Sequence, residues 1–267
     1  MSVPYEEKAT AALETSGLSV AQARLDQVAQ RAAAEGWSFT HFLGYLLDTE
    51  LSERHRKRVE LNLKFAKFPT IKLIDDFDWT AQPSIDRRLI QELSTGRYLD
   101  EGRNVVFLGP PGVGKTHLSI GLGVKVAEMG RRVYFTTAVD LAHKLTKAVD
   151  QNRLHRQLNA LMQPKLLIID EVGYIAFDQL QASLLFQVIC KRYQRKQSVV
   201  LTSNKAFSDW GQIFADDAVM ASAALDRLLH RSTVINIRGE SYRLREKKRA
   251  GSQSSPEIRR GGAQAGA

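Results

Sequence analysis

An α/β fold is expected, built on a three-layer, five-stranded parallel sheet and preceded by a small all-α segment. Three observations predict it. Apolar runs near 104–108, 132–136, 165–170, 198–203 and 233–237 each have the length of a buried strand. Stretches of helical length separate them, and such alternation folds as a parallel sheet with helices on both faces. The first run opens onto residues 109–116, GPPGVGKT, which fit the G-x-x-x-x-G-K-[ST] loop that joins a strand to a helix.

With 267 residues the chain can hold one sizeable core and a smaller satellite. After a polar start, Ser19 is placed to cap a helix carrying Leu25, Val28, Ala29 and Ala32 on one face, and Gly36 to end it. Ser38 is placed to cap a second helix with Phe42, Leu43, Leu46 and Leu47. That helix is expected to run on through 54–68 and to stop at Pro69. Between positions 54 and 72 lie seven Lys or Arg and one acid, Glu60. Two readings stand side by side. One is a solvated helix face; the other is a phosphate-contacting surface made by Arg54, Arg56, Lys57, Arg58, Lys64 and Lys67. On the second reading, residues 1–72 form an N-terminal helical domain that binds DNA or a partner.

Residues 70–103 form a connector with DDFDW at 75–79 and a helix around 85–94. Phe77 and Trp79 either cover a nucleotide base or anchor the connector. The alternating strands and helices that follow define a domain over 73–249. From 250 onward the chain is small, polar and glycine-rich, the composition of a disordered tail over 250–267.

The loop after the first strand carries the strongest chemical signal. Its glycines allow a tight turn and close approach to a ligand. Successive N–H groups and the positive end of the following helix then face a polyphosphate. Gly109, Pro110, Pro111, Gly112, Val113, Gly114 and His117 complete this ATP-binding set around Lys115 and Thr116. Lys115 is placed to reach the β- and γ-phosphates, and Thr116 to offer its hydroxyl to Mg²⁺. About 55 residues later, KLLIIDE at 165–171 is an apolar strand ending in two acids, which a parallel sheet aims at its ligand crevice. Asp170 is read as holding the metal shell, and Glu171 as orienting and polarising the attacking water. SVVLTSN at 198–204 ends similarly; Asn204 either bonds the γ-phosphate or lytic water, or caps a turn.

Composition narrows the setting. Apolar residues make up 43% of the chain, and no stretch reaches the roughly 18 consecutive apolar residues of a membrane span. The start, MSVPYEEKAT, lacks a signal-peptide pattern, so a cytoplasmic protein is expected. The single cysteine, Cys190, lies in an apolar run and is expected to be a buried thiol. The net charge of +9 and pI near 9.7 agree with a polyanionic partner without establishing one.

The segments GPPGVGKT, LLIIDEVGY, VVLTSN, LDRLLHRS and GESYRLRE together resemble the AAA+ ATPases of the helicase-loader clade. Within it they most resemble the IstB family, ATP-binding helpers of two-gene bacterial insertion sequences, over residues 15 to 248 or so. The resemblance implies that Arg227 is an arginine finger acting on the ATP of a neighbouring subunit, with Arg231 a weaker candidate. It also implies that Arg243 is a sensor-2 arginine contacting ATP in its own subunit. Only about 30 residues follow the last strand, so little or no C-terminal helical lid is expected. The implied function is an ATP-dependent, Mg²⁺-requiring DNA-binding oligomer, a ring or helical assembly. It would hold duplex DNA by its backbone and recruit and stimulate a cognate transposase. A replicative helicase loader of the DnaC type is the alternative, and a small-molecule P-loop kinase a more distant one.

Overall fold

The apolar runs become strands, and those inside the sheet are covered on both faces, while the edge strand nearest the C-terminus buries only its Ile235. In the computed structural model, which describes residues 4–242, five strands form one parallel sheet. They are β1 (Asn104–Leu108), β2 (Val133–Thr137), β3 (Leu166–Val172), β4 (Ser198–Ser203) and β5 (Ser232–Asn236). Their spatial order is β2-β3-β4-β1-β5. β1 therefore lies between β4 and β5, and the C-terminal ends of β1, β4 and β3 stand side by side, at the crevice where parallel sheets bind ligands.

Helices cover both faces. On one side α6 (Lys115–Glu128) is flanked by α4 (Arg87–Ser94) and α5 (Arg97–Asp100). Its Leu118, Leu122 and Val126 are buried with Val105, Phe107 and Ile168 of the sheet. On the other side lie α7 (Ala138–Asp150), α8 (Leu154–Leu161), α9 (Gln179–Gln194), α10 (Trp210–Ile213) and α11 (Ala218–Leu229). Trp210 and Phe214 are fully buried there with Leu185, Val188 and Leu201.

A buried cation fixes how these layers meet. Arg192 of α9 is 1% exposed and donates to four carbonyls: Leu161 at 2.9 Å, Pro164 at 3.2 Å, Lys165 at 3.1 Å and Ser198 at 2.7 Å. It thereby joins the end of α8 to the starts of β3 and β4. Burial pushes its guanidinium down to about 9, which leaves it charged at neutral pH.

Three helices precede this core: α1 (Tyr5–Thr15), α2 (Ser19–Ala34) and α3 (Phe39–Ala66). Ser38 caps α3 as expected, its side chain accepting the His41 N–H at 3.2 Å. α3 is one continuous helix of 28 residues, and a left-handed Lys67 (φ 59°) ends it before Pro69 is reached. Its first half buries Leu46 against Ala21 and Val28 of α2, while Ala66 at its end belongs to the sheet core. One rod thus links the helical segment to the sheet.

Several local expectations are corrected. Ser19 is the first helical residue of α2, not its cap; that position is Leu18, which offers no side-chain bond. The capping acceptor comes instead from α3, where buried Glu50 receives the N–H groups of Val20 (2.8 Å) and Ala21 (3.0 Å). Ala29, Leu43 and Leu47 face outward rather than lining the inner face, because α2 and α3 meet along Ala21, Val28, Phe42 and Leu46. Cys190 is half-buried at the edge of α9 rather than enclosed, and partial burial still pushes its thiol pKa up. The tail over 250–267 lies outside the described residues.

Candidate functional site

The loop after β1 takes its shape from its glycines. Gly112 and Gly114 have φ of 81° and 96°, in the left-handed region that glycine enters without a Cβ penalty. Space requires glycine at both positions as well. A Cβ on Gly114 would lie 2.5 Å from the Phe77 ring, and one on Gly112 would collide with the Ser241 side chain. Two distant segments therefore close on the loop. From the connector, Phe77 is buried edge-on to Trp79 and His117, with ring centroids 4.9 and 5.2 Å apart. From the C-terminal side, the Tyr242 N–H donates to Gly112 O at 3.0 Å. Gln82 ties the two segments together by donating to Glu240 O at 3.0 Å. Phe77 is thus an anchor of the connector against the loop.

Gly114 ends the loop and starts α6, so Lys115 and Thr116 occupy its first turn. Lys115 is 6% exposed, and its ammonium donates to the carbonyls of Gly109 (2.7 Å) and Pro110 (2.8 Å), folding back over the loop it belongs to. His117 Nε2 lies 2.7 Å from Leu73 O, which ties the next residue of the helix to the connector. Thr116 turns toward the sheet. Its hydroxyl contacts both oxygens of Asp170, at 3.1 and 2.9 Å.

Asp170 is 3% exposed at the end of β3. A hydroxyl beside a carboxylate is a hard-oxygen pair, the donor type Mg²⁺ takes from a protein when phosphate and water complete its shell. The residues present therefore fit an Mg²⁺–nucleotide site, with Thr116 and Asp170 as the protein donors.

Glu171 follows in an unusual backbone conformation. The β3–β4 register pairs Ile169 with Leu201 and then Val172 with Ser203, so Asp170 and Glu171 together face the single residue Thr202. This is a β-bulge, and within it Glu171 has φ 62°. A non-glycine residue held there costs about 1–3 kcal/mol and persists only where its surroundings over-determine it. In a regular strand consecutive side chains point to opposite faces; the bulge breaks that alternation between the two acids.

Asn204 lies just beyond β4, with its Oδ1 buried and unpartnered among the described residues. A buried acceptor of this kind is costly unless something bonds it. Arg227 sits on α11, where it donates to Ala223 O at 2.6 Å and lies 5.4 Å over the Phe186 ring. Among the described hydrogen bonds and ion pairs, none joins it to the phosphate loop of its own chain. Arg231 is exposed just after α11, and Arg243 lies outside the described residues.

The basic stretch on α3 is less one-signed than the sequence window suggests. Arg54 donates to Glu50 at 2.6 Å, and Arg56 pairs with Glu53 (2.6 Å) and Glu60 (2.5 Å). Lys57 lies 3.9 Å from Glu53. Arg58, Lys64 and Lys67 are exposed, with no ion pair among the described residues. Two of the acids that pair with the first three, Glu50 and Glu53, lie just upstream of the basic run, about one helical turn away, and the third, Glu60, lies within it. No described helix is long and apolar enough to cross a membrane.

Sequence reasoning missed Thr202. Its hydroxyl accepts the Glu171 N–H at 2.9 Å and donates to Asp170 Oδ1 at 2.5 Å. The only signal in the sequence is the polar end, Thr202-Ser203-Asn204, that follows the apolar Val199 to Leu201.

Comparison with known proteins gives a consistent picture. The family model described as "IstB-like ATP binding protein" matches residues 9–250. An insertion sequence IS21 putative ATP-binding protein of Pseudomonas aeruginosa is 46% identical over 227 residues, 85% of each chain. The corresponding protein of insertion sequence IS5376 from Geobacillus stearothermophilus is 45% identical, over 86% of this chain and 91% of its own. Among solved structures, the DnaC helicase loader superposes with a TM-score of 0.50 at 23% identity, covering 60% of this chain and 98% of its own. That last likeness concerns the fold alone.

Proposed function

The chain belongs to the IstB-like ATP-binding protein family, and from that membership we propose that it is an Mg²⁺-dependent ATPase. On this reading it assembles on target DNA and recruits a partner transposase during insertion-sequence transposition. Its fold is the P-loop AAA+ fold, and nucleotide binding follows from the family. The single observation that carries the step to hydrolysis is the contact of Thr116 with both oxygens of Asp170, beside Glu171.

The proposed mechanism assigns each residue a task. A bound Mg²⁺ would neutralise negative charge developing on the phosphates. Lys115 exchanges its loop carbonyls for phosphate oxygens, and Thr116 and Asp170 hold the metal. Glu171 orients the attacking water and accepts its proton, and Asn204 bonds the water or γ-phosphate from the neighbouring strand. Arg227 reaches the γ-phosphate of the next protomer, where a guanidinium can accelerate hydrolysis by about 10³ to 10⁵. Arg243, by resemblance, contacts nucleotide within the same chain. Binding then favours a ring or helical oligomer, and hydrolysis loosens it. Exposed lysines and arginines on α3 meet DNA phosphates without reading sequence. The setting proposed is the cytoplasm.

A helicase-loader role would use the same ATPase, but the two relatives at 45 and 46% identity are both named for insertion sequences. The discriminating experiment is capture on duplex DNA with ATP and Mg²⁺. A cognate insertion-sequence transposase should be retained and a replicative hexameric helicase should not; the reverse outcome rejects the transposition reading.

A further inference from the structure

We infer that Thr202 is the positioning residue that clasps the two acids of the site, setting the backbone of Glu171 and the carboxylate of Asp170 with one hydroxyl. The inference rests on the ATPase reading above for its catalytic consequence, but its structural content stands on geometry alone.

The bulge places two residues of β3 opposite one residue of β4, and that one residue is Thr202. A side chain opposite a bulge is the only one positioned to reach both members of the unpaired step. Thr202 does so with both halves of its hydroxyl. The lone pair accepts the Glu171 N–H at 2.9 Å, and the proton goes to Asp170 Oδ1 at 2.5 Å. The residue is 1% exposed, so no solvent competes for either bond. Thr116 reaches the same carboxylate from α6. A continuous chain therefore runs from the first turn of α6, through Asp170 and Thr202, to the Glu171 amide. The adjacent Ser203 hydroxyl donates to Val172 O at 2.7 Å and fixes the far side of the bulge.

Two consequences follow. Without the Thr202 oxygen, the Glu171 N–H loses this 2.9 Å bond, and the left-handed backbone of the bulge loses its tie to β4. Without the Thr202 proton, the Asp170 carboxylate keeps its Thr116 contacts but loses its bond to β4. Neither change removes a group that touches nucleotide. Thr202 should therefore govern turnover more than affinity.

The test compares wild type, Thr202→Val and Thr202→Ser in the full chain by three measurements: Glu171 amide exchange by NMR without nucleotide, direct ATP binding, and kcat. Valine keeps the shape and removes the hydroxyl; serine restores it. Thr202→Val should speed exchange at Glu171 about tenfold while the rest of β3 and β4 stays protected. Its kcat should fall about 100-fold, as for a catalytic group misplaced by about an ångström, with ATP affinity within about threefold of wild type. Thr202→Ser should recover both. Unchanged Glu171 protection in Thr202→Val overturns the inference, as does a uniform loss of protection across β3 and β4 or a failure of serine to rescue. If wild type itself hydrolyses no ATP, the ATPase reading fails, and Glu171 exchange alone decides the clasp. Should Thr202→Val not fold, Thr202→Ala is measured the same way.

Discussion

Glu50 Oε2 accepts the Ala21 N–H at 3.0 Å, so that a carboxylate midway along α3 serves as the N-terminal cap of α2. The same carboxylate takes Val20 N–H and, through its other oxygen, Arg54. These bonds, the Ala21 amide foremost, hold the Glu50 carboxyl below the usual carboxylate range despite the opposing effect of burial. A depressed carboxylate stabilises the fold above its unfolded pKa, and that contribution is lost as pH falls through the folded value. Glu50→Gln should therefore lower stability at neutral pH by about 1–3 kcal/mol, the worth of hydrogen bonds to a charged group. In thermal melts taken at decreasing pH, the gap from wild type should close through the carboxylate range. No gap at neutral pH would show that shape, not charge, caps α2.

Arg192→Lys should destabilise the sheet although the charge is kept. A lysine has three donors on one nitrogen and cannot span the carbonyls of Leu161, Pro164, Lys165 and Ser198. A buried cation stripped of acceptors costs about 3–5 kcal/mol. Urea unfolding should show the midpoint shift with an unchanged slope; a shift worth under about 1 kcal/mol would mean that water replaces the lost bonds.

DNA affinity should depend on Arg58, Lys64 and Lys67 more than on Arg54 and Arg56, whose charges are matched by Glu50, Glu53 and Glu60. If the three unpaired cations each neutralise one phosphate, replacing all three with alanine should reduce the slope of log K against log salt by about 2–3. Arg54→Ala should instead act mainly on stability, since it leaves Glu50 short of a partner. Equal slopes for the triple variant and wild type would place the phosphate contacts elsewhere.

The sheet and the phosphate loop were legible because their causes are local. A strand covered on both faces must be apolar along its length, as Leu166 to Ile169 are, and a loop that wraps phosphate must have glycine where φ is positive, as at Gly112 and Gly114. What stayed hidden depends on partners distant in sequence. Leu43 and Leu47 obey the same helical period as Phe42 and Leu46, and only the angle at which α2 meets α3 decides which pair is buried. Ser19 has the chemistry of a cap, but a carboxylate some thirty residues away does the work. Thr202 acquires its meaning from a one-residue slip in the register of β3, which no property of β4 announces.

Glu171→Gln and Arg227→Ala should fail differently. Glutamine keeps the shape and hydrogen-bonding capacity of Glu171 but accepts no proton, so ATP should still bind and the oligomer on DNA should outlast that of wild type. Arg227 contacts Ala223 and Phe186 in its own chain rather than the phosphate loop, so Arg227→Ala should leave that chain's pocket intact. Such protomers should bind ATP near normally while losing both hydrolysis and ATP-dependent assembly. Mixing separates a finger acting between subunits from one acting within. Arg227→Ala protomers lend no finger but keep a sound pocket. Lys115→Ala protomers lend a finger but lack the cation that the loop holds over Gly109 and Pro110. An equal mixture should recover part of the ATPase activity that each lacks alone. If mixed oligomers form, as seen by cross-linking, and remain as inactive as their components, Arg227 does not act in trans, and the coupling of ATP to assembly must run through another residue.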